Sequence, residues 1–285
     1  LAPFRFLNLM RDAYCLIDAL GYESVAAVVG HDFGSSVAAN CALVRPDVFR
    51  SVVLMSAPFG GPPSLNSAAT GDIHAALAAL KRPRKHYQWY YTTRPANDDM
   101  TKCSQGVSDF LRAYYHHKSA DWHENKPHPL NTWTADELAK MPTYYIMDLG
   151  ENMAETVAKE MPNKAQIQAC TWLSDNELDV YTQEYVRTGF QGGLNWYRSR
   201  TSHTLNTDKS LFAGRSIDVP ACFIAGTSDW GIHQVPGVLE NMQITACSDF
   251  RGLHLLDGAG HWVQQEQPKA VVEYLLAFLS EHEVG

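Results

Sequence analysis

The sequence predicts an α/β protein in which a mostly parallel sheet, flanked by helices, is interrupted by a helical insertion. Short apolar runs, such as residues 51–55 and 219–226, alternate with helical segments near both ends of the chain. Continuous apolar runs of this length are typical of strands that are buried on both faces. The residues between these two blocks are instead rich in Tyr, Trp, His and Asn. Strand, helix and strand at short intervals predict βαβ units, and therefore a parallel sheet.

The first block, residues 1–59, contains two predicted helices and two predicted strands. Apolar residues recur with a helical period from Phe4 to Leu20, which predicts an amphipathic helix before Gly21. A buried strand is predicted over Val25–Val29 and a second over Ser51–Met55. Between them, residues 34–43 are mostly small and predict a helix that packs closely on the sheet.

The second block, residues 215–285, repeats this pattern. Strands are predicted over Val219–Gly226 and Gly252–Leu256, and an amphipathic helix over Pro268–Leu279. Both blocks therefore belong to one core, and we expect residues 60–214 to form a separate helical cap.

The cap carries two predicted hinges and no predicted metal site. Pro62-Pro63 and Gly192-Gly193 are typical of loops, so we expect the cap to leave and rejoin the core there. His116, His117, His123 and His128 lack the compact spacing of metal ligands.

Composition excludes several partners. The net charge is −8, with acids and bases spread along 285 residues, which argues against nucleic acid or an anionic membrane as a partner. No apolar run approaches the roughly 20 residues of a membrane span, so a soluble, cytoplasmic protein is expected. The six cysteines show no repeated spacing and predict no disulfide framework.

The sharpest motif is Gly-His-Asp-Phe-Gly at residues 30–34, between a predicted strand and a predicted helix. A glycine-flanked nucleophile in this context is typical of the nucleophile elbow, a tight turn that exposes the middle side chain, Asp32. The backbone N–H of Phe33 would then face a developing oxyanion. The alternative is an ordinary turn in which Asp32 caps the helix.

Two further candidates follow later strands. Asp229 comes just after the strand that ends at Gly226, and His261 lies in a glycine-rich loop, residues 257–262, after the next strand. Because the carboxyl ends of parallel strands meet at one edge of a sheet, these side chains can converge with Asp32. The order nucleophile, acid, histidine is that of a catalytic triad.

With these motifs the chain resembles the α/β-hydrolase superfamily, and its epoxide hydrolase branch in particular. Tyr87-Gln88 resembles the family's first cap tyrosine, and Tyr197, within Asn-Trp-Tyr-Arg, resembles the second. The resemblance implies a capped α/β-hydrolase fold in which these two phenols hold the epoxide oxygen. It also implies that His31, Phe33, Gln88 and Trp262 lie near the substrate or the oxyanion. Rivals for the first tyrosine are Tyr90, Tyr91, Tyr144 and Tyr145, and Phe33 stands where many relatives have Trp.

The chemistry of a carboxylate nucleophile supports this interpretation. Displacement at carbon by Asp32 leaves an ester, which water activated by His261 can hydrolyse while Asp229 orients the imidazole. The leaving oxygen of an epoxide is strongly basic and suits two phenols, whereas a halide would not need them. The sequence thus predicts an epoxide hydrolase that acts on a small apolar epoxide and water without a cofactor. The alternatives are a haloalkane or haloacid dehalogenase of the same fold and a non-catalytic ligand-binding protein.

One expected motif is absent from the sequence. The fold normally begins with several strands before the first helix, and one of their loops carries His-Gly-x-Pro, which this chain lacks. A sheet that starts at Val25 would expose an apolar edge. The hypothesis that follows is that the chain is a fragment, or that a second copy or another polypeptide completes the sheet.

Overall fold

The computed structural model describes residues 1–64, 71–202 and 207–281, which form six strands and a larger set of helices. The strands are β1 (Val28–His31), β2 (Val52–Met55), β3 (Arg84–His86), β4 (Ile146–Asp148), β5 (Ala221–Gly226) and β6 (Phe250–Leu256). The helices are α1 (Phe6–Ala19), α2 (Phe33–Val44), α3 (Ile73–Ala78), α4 (Tyr87–Thr92), α5 (Ala96–Thr101), α6 (Gly106–Lys118), α7 (Ala135–Leu138), α8 (Met153–Ala158), α9 (Lys164–Ala169), α10 (Asp175–Thr188), α11 (Gln191–Thr201), α12 (Val238–Asn241), α13 (Val263–Glu266) and α14 (Pro268–Glu281).

The core is a four-stranded parallel sheet in the order β1-β2-β5-β6, covered on both faces. Along β2 the side chains alternate between the faces: Val52 and Leu54 join the cluster that contains α2, and Val53 and Met55 join the cluster that contains α14. All four are buried. This two-sided burial explains the continuous apolar runs in the sequence, because neither face of such a strand meets water.

The first strand differs from its prediction. It begins at Val28 rather than Val25, and Val25 forms only an isolated bridge with Phe49. Among the described residues β1 pairs with β2 alone, so it is an edge strand, and Val29 is exposed. An apolar run in the sequence does not distinguish an edge strand from a central one, because it carries no information on the number of paired neighbours.

The residues between β2 and β5 contain nine of the described helices, α3 to α11, and a two-stranded antiparallel sheet of β3 and β4. This small sheet was not predicted, because strands of three residues are too short to show alternation. Tyr87 extends it by donating its N–H to the carbonyl of Tyr145 at 2.8 Å. The boundaries of the cap at residues 60 and 214 remain a prediction.

Gly192 and Gly193 do not lie in a loop, which corrects that part of the expectation, whereas a hinge at these residues remains a prediction. They lie in the first turn of α11, and a Cβ at either position would meet no atom within 4 Å. The space beside them is a cavity whose wall they form. All six cysteines are free, and none of the helices within the described ranges is both long and apolar enough to cross a membrane.

Candidate active site

Asp32 occupies a strained turn between β1 and α2. Its φ is 52° and its ψ −122°, a conformation that non-glycine residues rarely adopt. The turn is so tight that a Cβ on Gly30 would lie 2.1 Å from the carbonyl oxygen of Gly34. The Asp32 side chain forms no capping hydrogen bond with α2, which contradicts the alternative of an ordinary helix cap. It lines the cavity instead.

Asp229 and His261 converge on Asp32 at the carboxyl edge of the sheet. The Nδ1 atom of His261 lies 3.2 Å from each carboxyl oxygen of Asp229, and its Nε2 lies 3.5 Å from Oδ1 of Asp32. Asp229 also accepts the backbone N–H of Gly231 at 2.7 Å, which fixes the carboxylate. The imidazole thus lies between two carboxylates, with Asp229 and His261 buried and Asp32 facing the cavity.

Asp32, Asp229 and His261 each favour the charged form of their partners. Burial opposes ionisation of Asp32, but the hydrogen bond and charge of His261 hold its pKa well below the usual range. Burial likewise opposes ionisation of Asp229, whose pKa is nevertheless lowered by the charge and hydrogen bond of His261. For His261, burial and the charge of Lys118 lower the pKa, yet the two carboxylates outweigh them and raise it. Asp32 is therefore an ionised carboxylate at neutral pH.

The backbone of His261 is held from three sides. Its carbonyl oxygen lies 2.7 Å from Nε2 of His31 and accepts the Ser56 hydroxyl at 3.1 Å. Burial, and then the charge of His261, lowers the pKa of His31 to about 4, so His31 is neutral and we assign its proton to Nε2. On the other side, the N–H of His261 donates to the carbonyl of Lys118 at 2.9 Å. These contacts fix the direction of the imidazole.

The two cap tyrosines expected from the sequence lie together. The rings of Tyr87 and Tyr197 pack edge to face with centroids 5.9 Å apart, and Tyr197 is part of the cavity wall. Gln88 donates its Nε2–H to the Tyr87 hydroxyl at 3.1 Å, which leaves the phenolic proton of Tyr87 free to be donated. Burial first, and then charges that include Asp32, raises the pKa of both phenols, so both remain protonated.

The four rival tyrosines differ in whether their hydroxyl groups are already hydrogen-bonded. The hydroxyl of Tyr90 donates to Asp99 at 2.9 Å, and that of Tyr144 donates to Asn125 at 2.7 Å, so both are already engaged. Tyr91 lies in the cavity wall, where its hydroxyl is 3.4 Å from that of Tyr114. The buried hydroxyl of Tyr145 has no hydrogen-bond partner among the described residues, and its ring lies 5.1 Å from that of Tyr87. Tyr91 and Tyr145 therefore remain rivals.

The remaining predicted residues surround a cavity of about 520 Å³. His31, Phe33 and Trp262 are in its wall. Phe33 is the first residue of α2, so its N–H has no partner within the helix. A cavity of this size, with a largely aromatic wall and a few polar groups, fits a small organic ligand.

Two residues at the site were not predicted. Lys118 lines the cavity although it is 4% exposed, and a lysine on a helix gives no sequence signal of burial. Glu266 accepts three backbone N–H groups, from Ala120 at 2.8 Å and from Gly260 and Trp262 at 3.0 Å each. The sequence signal for Glu266 was its position five residues after His261. Only the fold shows which N–H groups it accepts.

Comparisons with known proteins agree with this geometry. A family model described as alpha/beta hydrolase fold matches residues 2–268. Epoxide hydrolase A of Mycobacterium tuberculosis (strain H37Rv) is 42% identical over 283 residues, which cover 96% of this chain and 74% of that protein. Epoxide hydrolase B of the same strain is 29% identical over 290 residues, covering 97% of this chain and 77% of that protein.

Solved structures give the same result. An epoxide hydrolase from an endophytic Streptomyces has a TM-score of 0.76 at 27% identity, covering 98% of this chain and 74% of that one. Epoxide hydrolase A from Mycobacterium thermoresistibile has a TM-score of 0.69 at 27% identity, covering 99% of this chain and 77% of that one. The fold class predicted from the sequence is confirmed. The chain belongs to the α/β-hydrolase fold family and, within it, to the epoxide hydrolases.

Proposed function

We propose that this chain hydrolyses a small apolar epoxide to a vicinal diol through a covalent ester on Asp32. The observation that carries the proposal is the position of the His261 imidazole, 3.2 Å from Asp229 and 3.5 Å from Asp32, in the cavity that also holds Tyr197. The substrate and water are the only reactants that this chemistry needs.

In the first step the ionised carboxylate of Asp32 attacks an epoxide carbon. One carboxylate oxygen forms a C–O bond as the bond from that carbon to the epoxide oxygen breaks. The epoxide oxygen would carry a full negative charge unless it received a proton. Tyr87 and Tyr197 supply it, since burial keeps both phenols protonated and a phenol is intrinsically a stronger acid than the alcohol that forms when an alkoxide takes up a proton. The product is an ester on Asp32, and one phenol is left deprotonated.

In the second step water cleaves the ester. His261 accepts a proton from water through Nε2, the nitrogen that faces Asp32, while Asp229 holds Nδ1–H and stabilises the imidazolium. The hydroxide adds to the acyl carbon of Asp32, and the N–H of Phe33 stabilises the oxyanion. Collapse releases the diol, and the proton held by His261 returns to the phenolate. Asp32 is regenerated with one oxygen from water.

The phenols distinguish this reaction from dehalogenation. A halide is a stable anion that needs weak hydrogen-bond donors rather than a proton. In support of the epoxide, the phenol of Tyr197 and the carboxylate of Asp32 line the same cavity, and the ring of Tyr87 packs against that of Tyr197. We therefore expect epoxide turnover and no halide release from haloalkanes. Cytoplasmic location, and assembly with a second copy or a completing polypeptide, remain predictions from the sequence.

A single turnover in oxygen-18 water tests the ester. With enzyme in excess over an aryl epoxide, the first diol should carry only light oxygen, because its new oxygen comes from Asp32. Subsequent turnovers should incorporate the heavy isotope through the regenerated carboxylate. Heavy oxygen in the diol of the first turnover would show direct attack by water and would exclude the ester mechanism.

A further inference from the structure

Lys118, the last residue of α6, is a buried cation in the wall of the active-site cavity. Lysine is almost never buried to 4% exposure unless it is paired. Its ammonium lies 5.1 to 5.8 Å from four ring centroids, those of Tyr114, Tyr144, Tyr145 and Trp262. Cation–π contacts at this range are favourable and stronger when desolvated. Within the described part of the chain no carboxylate forms an ion pair with this ammonium.

The charge of Lys118 acts on the catalytic histidine. After burial, it is the strongest influence that lowers the pKa of His261, whereas Asp229 and Asp32 raise that pKa. Lys118 and His261 line the same cavity, and the carbonyl of Lys118 accepts the N–H of His261 at 2.9 Å. The imidazole is therefore under the influence of two anions, Asp229 and Asp32, and of the charge of Lys118.

Formation of the ester changes this balance. Before the reaction, two carboxylates favour protonation of His261 and one ammonium opposes it. Once Asp32 is esterified, its negative charge has passed to the phenolate left at Tyr87 or Tyr197. Asp229 and Lys118 still act on His261 in opposite directions. We propose that Lys118 keeps His261 unprotonated in the ester, so that the imidazole can accept the proton of the hydrolytic water. Lys118 acts through His261 and is a positioning residue; the inference rests on the proposed function.

The other titratable groups around His261 do not replace this cation. Burial lowers the pKa of His31, on β1, to about 4, so it is uncharged. Burial raises the pKa of Glu266, beside the loop, to about 7, so it contributes at most a negative charge. Burial keeps the phenols of Tyr87, Tyr145 and Tyr197 protonated in the substrate-free protein, and the phenolate that the first step leaves is an anion, so it does not replace the cation either. Asp32 and Asp229 complete the set, and both are acids.

The test measures hydrolysis of the ester alone as a function of pH. Wild type and Lys118→Met, each in slight excess over the epoxide, are mixed with it for a single turnover, and decay of the ester is followed by rapid quenching and intact-protein mass spectrometry. Methionine is unbranched, only one atom shorter than lysine, and packs well against aromatic rings. In Lys118→Met the acidic limb of the pH–rate profile of ester hydrolysis should move to higher pH by about one unit, because His261 then holds its proton more tightly. Lys118→Arg should restore the wild-type limb, and Lys118→Gln serves if the methionine variant does not fold.

Lys85→Met is the matched control. The ammonium of Lys85 also lies over a tyrosine ring, 5.2 Å from the centroid of Tyr90, and donates to the carbonyl of Leu149. This change should leave the acidic limb unmoved. A limb that is also unmoved in Lys118→Met would overturn the inference, because a lysine that only packs would not set the proton affinity of His261.

A second measurement separates this inference from the proposed function. The ring nitrogens of His261 in the substrate-free protein can be titrated by nitrogen-15 NMR, with His261→Gln used for assignment. The titration should shift to higher pH in Lys118→Met and not in Lys85→Met. If no epoxide forms an ester with the wild type, the proposed function fails, yet this titration still decides the role of Lys118. An unchanged titration in Lys118→Met would refute it.

Discussion

The N–H of His261 donates to the carbonyl oxygen of Lys118 at 2.9 Å, so the loop that carries the candidate base is fixed to the end of a cap helix. The contact is close: a Cβ on Gly260 would lie 2.6 Å from that same carbonyl oxygen. Trp262 adds a hydrogen bond from its Nε1 to the carbonyl of Tyr115 at 2.9 Å. Core and cap therefore meet at the candidate active site, and we expect changes at this contact to affect chemistry as well as stability.

Replacement of His261 should stop the reaction at the ester. In His261→Gln the carboxylate of Asp32 can still attack, but no base activates the water. Intact-protein mass spectrometry should show an adduct of one substrate mass that persists after excess epoxide is removed. An unmodified variant that also lacks turnover would show that His261 is needed before the ester forms.

Each cap phenol should contribute to alkylation. Tyr87→Phe and Tyr197→Phe should each slow the first step by roughly 10²–10³, the loss expected for one donor to a developing oxyanion. Stopped-flow fluorescence with excess enzyme measures this step. Tyr90→Phe is the matched control, because its hydroxyl is bound to Asp99 at 2.9 Å and should contribute nothing. If Tyr87→Phe is silent and Tyr145→Phe is slow, Tyr145 fills the first cap role.

The elbow should tolerate a side chain at one glycine and not at the other. In Gly30→Ala the new Cβ would lie 2.1 Å from backbone oxygen, so the turn must open. We expect a loss of about 3 kcal/mol in the free energy of unfolding. In Gly34→Ala the Cβ meets nothing within 4 Å, and alanine favours the helix by about 0.5–1 kcal/mol. Urea unfolding compares the two, and equal stabilities would show that the elbow is not tight.

Glu266 should secure the histidine loop to the cap. In Glu266→Gln one carboxylate oxygen becomes an NH₂ group that cannot accept the N–H groups of the loop. We expect a loss of about 1–3 kcal/mol in stability and faster amide exchange at Gly260. The exposed Glu240→Gln is the control and should be neutral. Unchanged exchange at Gly260 would show that the three hydrogen bonds do not hold the loop.

Acid should destabilise the protein partly through His31. Its pKa is lowered to about 4 by burial, below its ordinary value, so the unfolded chain binds the proton more readily. The stability that His31 contributes is present above pH about 6.5 and is lost as the pH falls towards 4. The free energy of unfolding should fall less steeply over this window in His31→Gln than in the wild type. If the free energy of unfolding fell equally steeply in both proteins, His31 would not be the group whose low pKa causes this loss of stability.

The sequence by itself determined the core and three of the candidate reacting groups. Continuous apolar runs such as residues 51–55 predicted strands buried on both faces, because such runs exclude water from either side of a sheet. Their parallel order places Asp32, Asp229 and His261 at one edge, since loops that follow parallel strands share that edge. Continuous apolar runs and the helical period of 3.6 carry this information locally, so it can be read without knowing the packing.

Tertiary structure decided what surrounds those groups. Only the packing shows that Tyr90 and Tyr144 are engaged by Asp99 and Asn125, because side-chain partners far apart in sequence leave no periodic trace. The same holds for Lys118, which resembles a solvated lysine at the end of a helix until the histidine loop and four aromatic rings cover it. A sequence pattern indicates which face of an element is apolar, whereas the charge environment of a catalytic group depends on which distant element covers it.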